Sequence, residues 1–229
     1  MTNDCPDPQH CPVVNPTRLA GARTTTTANG QSWHRAYEAK WGYDEFHPGG
    51  GGDSRFAPFT SAAGKNVPTL CLAETDVAAL LETVFHDVHP LSKRLVYESD
   101  VRERLLVTVS LPSPPVLLDL RDPELQRLNV SRHEVVSSPA EHFACTRAVA
   151  RAVHARHDRV DGIVWHSRQA ELASHPPAQV MVLFGDHYGT ARGKLPLAGP
   201  GSVDLLNGRG RDLVDQIAVA LGATIVPLS

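Results

Sequence analysis

The stretch from Thr69 to Val88 constrains the fold most tightly. Thr69-Leu70-Cys71-Leu72-Ala73 is a short apolar run that reads as a buried strand, and Thr75 or Asp76 follows it as a helix cap. Val77, Leu80, Leu81, Val84, Phe85 and Val88 then recur at i, i+3, i+4, i+7, i+8 and i+11, which is one apolar face of an α-helix. The order is strand, then helix. Glu82 is the only charged residue between Val77 and Phe85. At 100° per residue it falls away from the centre of the stripe, so it is predicted on a polar flank, where such a carboxylate commonly caps or pairs.

The remaining elements place this unit in a mixed order. His34 to Tyr37 can form a short strand with Arg35 and Tyr37 on one side. Leu105–Leu111 and Val116–Leu120 read as strands separated by Pro112, Pro114 and Pro115, and Pro139–His157 reads as a helix whose polar face carries Arg147, Arg151 and His154. Asp161-Gly162 breaks it. Ile163–His166 and Val180–Phe184 are further strands, and a helix from about Arg211 to Leu221 precedes a last strand near Ala223–Val226. With no internal repeat, this order favours an α+β fold with a mixed central β-sheet and flanking helices over regular βαβ alternation. Residues 1–32, rich in proline and threonine, read as an irregular arm, and residues 33–229 as the folded domain.

At 229 residues the chain suits one large domain, or a domain plus a tail. A net charge of -3 and a pI near 6.4 remove the electrostatic case for a general nucleic-acid or anionic-membrane binder. The apolar stretch from Ile217 onward is too short to span a bilayer and is interrupted by Gly222, Thr224 and Pro227, so no membrane segment is expected. The N-terminus lacks a secretory h-region, which makes a cytoplasmic location the expectation. Cys5, Cys11, Cys71 and Cys145 are scattered and read as reduced thiols. Neither His86-Asp87-Val88-His89 nor Cys5, His10 and Cys11 has a matching partner pair at zinc-site spacing, so no metal is expected.

Two polar segments stand out besides Glu82. In His47-Pro48-Gly49-Gly50-Gly51-Gly52-Asp53-Ser54-Arg55-Phe56 a glycine run allows close backbone approach, and Arg55 could clamp phosphate through two parallel hydrogen bonds. The run is neither a P-loop nor a dinucleotide fingerprint, and a mobile loop is its plainer reading. In Gly162-Ile163-Val164-Trp165-His166-Ser167-Arg168-Gln169 an apolar strand ends in four polar side chains, well placed to meet a ligand. Ser167 lacks the G-x-S-x-G elbow of a serine hydrolase.

Taken in order, these segments resemble the RES domain family over about Trp33 to Phe184. The resemblance consists of Arg35 in the first strand, Arg55 in Gly-x-x-Arg-Phe form, the Leu-x-Leu-Ala-Glu strand with Glu82 in the helix after it, and Asp161-Gly162-Ile163 leading to Ser167-Arg168. It implies a fold similar to the ADP-ribosyltransferase toxins and an NAD-degrading toxin paired with an Xre-type helix-turn-helix antitoxin. On that carry-over Arg35 and Arg55 would hold the pyrophosphate, Glu82 would face the nicotinamide ribose, and Ser167, with Arg168 beside it, would orient the nicotinamide half. Tyr37 could stack on a ring. One departure is Cys71, where many members carry tyrosine.

Breaking the nicotinamide–ribose bond releases a neutral leaving group from a cationic ring, so no general acid or metal is required. Water as acceptor would give ADP-ribose, and inorganic phosphate a phosphorylated ADP-ribose. The alternatives are an ADP-ribosyltransferase acting on a macromolecule and a non-catalytic module that binds nucleotide or a partner.

Overall fold

The computed structural model describes residues 5–88, 94–156, 158–189 and 195–227. The strands are β1 (Thr24–Thr26), β2 (Ser32–Glu38), β3 (Phe59–Thr60), β4 (Asn66–Val67), β5 (Thr69–Ala73), β6 (Leu95–Tyr97), β7 (Arg104–Ser110), β8 (Val116–Asp119), β9 (Gly162–His166), β10 (Gln179–Phe184), β11 (Val203–Asp204) and β12 (Thr224–Val226). The helices are α1 (Asp76–Leu81), α2 (Glu98–Arg102), α3 (Asp122–Arg127), α4 (Phe143–His154), α5 (Arg168–Leu172) and α6 (Gly208–Leu221). Eight strands form one sheet in the order β1-β8-β9-β10-β5-β2-β7-β11, in which only the β8–β9 pair is parallel. The fold is α+β with a mixed central sheet, as the order of apolar segments implies.

Alternation along the central strands splits the core in two. On β10, Val180, Val182 and Phe184 join the larger cluster, into which α1, α4 and α6 also send apolar side chains, while Met181 and Leu183 point to a smaller cluster with Trp33, Leu70 and Leu72. Strands buried on both faces read as unbroken apolar runs, which is why β9 and β10 are visible in the sequence; β5 is buried likewise except at Cys71, which is exposed. The Asp161-Gly162 pair turns out to be a structural joint. The Asp161 carboxylate accepts from Val116 N at 2.9 Å, and its carbonyl accepts from Phe184 N at 2.8 Å. A Cβ on Gly162 would lie 2.0 Å from the Val182 carbonyl oxygen, so β9 and β10 approach each other as they do only with glycine there.

Three sequence expectations are corrected. The helix expected over Val77–Val88 ends at Leu81, although Leu80, Leu81, Phe85 and Val88 are all buried as the stripe requires. Beyond Leu81 the chain turns, because Phe85 N bonds back to Leu80 O and the Gln169 side-chain amide captures the carbonyls of Phe85, His86 and Val88 at 2.9, 2.5 and 3.3 Å. The helix expected over Pro139–His157 is a 3₁₀ turn, Ala140–His142, followed by α4; His157 lies outside the described residues. The terminal helix starts at Gly208, earlier than the sequence suggests.

The first segment is largely irregular yet closely packed. Val14, Leu19 and Ala22 are buried in the larger cluster, β1 adds a strand to the sheet edge beside β8, and Arg18 pairs with Glu134 at 2.8 Å. No described helix is long and apolar enough to cross a membrane.

Candidate active site

Strands β2 and β5 pair at a single position, His34 with Ala73. Where two neighbouring strands are otherwise unpaired the sheet opens, and a cleft of about 1030 Å³, measured to its open mouth, is lined there by residues 34–36 of β2 and 71–73 of β5. Its other walls carry Arg55, Glu82, Arg168, Phe143 and Trp165.

Glu82 sits at the C-terminal end of α1 and faces this cleft, not a solvated flank. Ser167 Oγ donates to Glu82 Oε1 at 2.6 Å and accepts from Ala170 N at 3.0 Å, so the serine caps α5 and aims the carboxylate at once. Burial pushes the Glu82 carboxyl above the usual carboxylate range; the Ser167 hydrogen bond and the nearby positive charges, Arg55 foremost, oppose that shift without cancelling it. The result is a carboxylate whose charge is only partly compensated and which is poised to stabilise positive charge.

Arg55 is positioned by α4 and the turn before it. Its Nη1 donates to Ser138 Oγ at 2.7 Å and Ser138 O at 3.0 Å, the guanidinium lies 5.0 Å over the Phe143 ring, and its carbonyl accepts from Thr146 Oγ1. Arg147 pairs with Asp53, and Arg151 donates to Thr60 O at 2.8 Å, so the polar face of α4 fastens both ends of the segment carrying Arg55. Burial lowers the Arg55 pKa to about 10, leaving the side chain cationic at neutral pH. Among the described residues its Nε and Nη2 have no partner, and Arg168 makes no side-chain hydrogen bond. Two cations therefore face the cleft with donors to spare.

The other expected site residues are placed differently. Arg35 lines the cleft, but its guanidinium mainly holds the turn after β2, donating to Tyr43 O at 2.5 Å and Glu45 O at 2.8 Å. Tyr37 is buried in the smaller cluster, away from the cleft lining, with its hydroxyl 2.7 Å from Ser202 Oγ; stacking on a ring in the cleft is not its position. Ser167 is fully buried behind Glu82, so it meets the carboxylate and not the cleft itself. The glycine run contributes no residue to the cleft lining, which on this side begins at Ser54.

Cys71, flagged only as a departure from the family pattern, opens onto the cleft between Arg35 and Glu82, and desolvation pushes its thiol up to about 11. It is therefore a neutral thiol and a poor nucleophile at neutral pH. Phe143 lies far from the other site residues in sequence and carries no local signal, whereas Trp165 lies in the strand that leads to Ser167 and Arg168. His86 reaches the cleft through the turn that follows α1, which the periodic stripe does not show.

A family model described as the RES domain matches residues 30–198 of the chain. In a solved structure titled as the M. tuberculosis MbcT–MbcA toxin–antitoxin complex, one chain superposes with a TM-score of 0.58 at 15% identity, covering 89% of this chain and 96% of that one. That likeness extends to the fold. No curated protein matches the chain.

Proposed function

The chain belongs to the RES domain family, and from that premise we propose that it cleaves the nicotinamide–ribose bond of NAD and acts as the toxin of a toxin–antitoxin pair. The observation that carries the reading is the partly compensated Glu82 carboxylate, aimed by Ser167 into a cleft that also presents Arg55 and Arg168. Cations with unused donors suit the pyrophosphate of a dinucleotide. A carboxylate in a low-dielectric wall suits the oxocarbenium-like ribose that forms as nicotinamide leaves.

In this mechanism Arg55 and Arg168 bind the pyrophosphate, and Arg35 contributes mainly by fixing the wall behind it. Glu82 acts in its charged form, lowering the energy of the developing positive sugar, while Ser167 keeps Oε1 from rotating away. The nicotinamide departs neutral, so no proton donor is needed. Water or inorganic phosphate then attacks the anomeric carbon from the open mouth of the cleft. The superposition on a chain of a toxin–antitoxin complex supports a small protein partner that restrains this activity.

The test is NAD loss and nicotinamide release by purified protein, run with and without inorganic phosphate and beside Glu82→Gln. Glutamate-dependent release supports the reading, and its phosphate dependence names the acceptor. Nicotinamide release at the same rate in both proteins would sink it.

A further inference from the structure

Three thiols and one imidazole converge at the start of α4, away from the cleft. Cys11, Cys5 and Cys145 place Sγ at 3.7, 3.9 and 4.0 Å from His142 Nδ1, and all four atoms lie within 4.8 Å of one another. The geometry points to a structural zinc site of Cys₃His type, and we propose that zinc there clamps the N-terminal segment onto α4.

Metal–ligand lengths of about 2.3 Å to sulfur and 2.0–2.1 Å to nitrogen, at tetrahedral angles, put ligand atoms roughly 3.6–3.8 Å apart. The observed sulfur-to-nitrogen distances are close to that spacing, so the ion fits with small side-chain movements. Hydrogen bonding is a poorer account of the cluster, because neutral Nδ1 has one lone pair and can satisfy one S–H at a time. Cys5, Cys145 and His142 are buried, as a closed site requires. Binding Zn²⁺ would release three protons, one from each thiol, and leave a site of net charge −1. His142 precedes the first residue of α4 and Cys145 lies in its first turn, where the helix dipole favours negative charge. In sequence, Cys5 and Cys11 have their second pair not in His10 but in His142-x-x-Cys145, far along the chain, which is why local spacing conceals it.

The site also touches the active-site wall indirectly. Phe143, the ring beneath the Arg55 guanidinium, lies between His142 and Cys145, and Thr146, which holds the Arg55 carbonyl, follows directly.

The experiment is elemental analysis of protein purified without chelator, beside Cys11→Ser, Cys145→Ser and Cys71→Ser. About one zinc per chain is expected in the parent and in Cys71→Ser, and its loss from the other two. Cobalt(II) added to chelator-stripped parent protein should give thiolate charge-transfer bands and the visible absorption of a tetrahedral site, a readout that needs no variant to fold. Protein that holds no zinc and gives no such cobalt spectrum overturns the proposal, as does zinc retained in both cluster variants.

Discussion

Glu82 shows how one residue can be legible in type and illegible in position. A lone carboxylate on an apolar helix is visible in the sequence, but its direction depends on where α1 stops, and Gln169 sets that from far along the chain. The sign of its titration leads to a prediction. Because the folded-state pKa is raised by burial, the folded protein binds the Glu82 proton more tightly than the unfolded chain; the associated stability is present below the usual carboxylate range and is lost as pH rises through the raised value. Glu82→Gln does not titrate and its amide oxygen can still accept from Ser167, so its melting temperature relative to the parent should climb between pH 4 and 8 while NAD turnover falls on the order of 100-fold or more. A melting difference that stays flat with pH would contradict the buried-carboxylate account. In the parent, the acid limb of the turnover profile should lie above the usual carboxylate range. Arg55 supports a second prediction. Arg55→Lys keeps the charge but loses the planar fork and the stacking on Phe143, so KM for NAD should rise about tenfold with a smaller change in kcat. Equal KM values would remove Arg55 from substrate binding.

At the scale of elements, apolar texture reveals the strands that are largely buried. β5, β8, β9 and β10 follow from it almost residue for residue, as does β7. The short elements α2, α3 and α5 are not legible, since each spans too few residues for periodicity to show. The overlong helix at 77–88 has a specific cause: the stripe is buried as expected, but Gln169 takes over the carbonyls of Phe85, His86 and Val88, and the segment turns back toward α5. Gln169→Leu would leave these carbonyls without that donor and should destabilise the protein by roughly 2–3 kcal/mol, or about 4–12 °C in melting temperature at this size. Because the same turn orients Glu82, NAD turnover should fall more steeply than the stability loss alone explains at temperatures well below melting. Hydrogen exchange at 82–88 is the direct check, and unchanged protection there would argue that the turn holds itself.

For the whole molecule, the open question in the sequence is what the first 32 residues do, since nothing in their composition resembles a core. The structure answers through long-range contacts that a local reading does not contain: β1 closes the edge of the sheet at β8, and Val14 and Leu19 fill the larger cluster. Those two side chains alone contribute roughly 3–6 kcal/mol by burial, apart from any contribution of zinc at Cys5 and Cys11. Two contributions of different origin can be separated by comparing two variants. The double substitution Cys5→Ser with Cys11→Ser removes two proposed ligands and leaves the apolar contacts and β1 in place, whereas starting the chain at Ser32 removes everything. The truncated protein should melt lower than the double variant by on the order of 10 °C, and it should aggregate more readily, because an uncovered β8 presents unpaired backbone groups at a sheet edge. If both variants melted together, the segment would act through the cysteine cluster alone and its apolar burial would be dispensable. If the truncation melted like the parent, the segment would be an addition to a domain already complete without it.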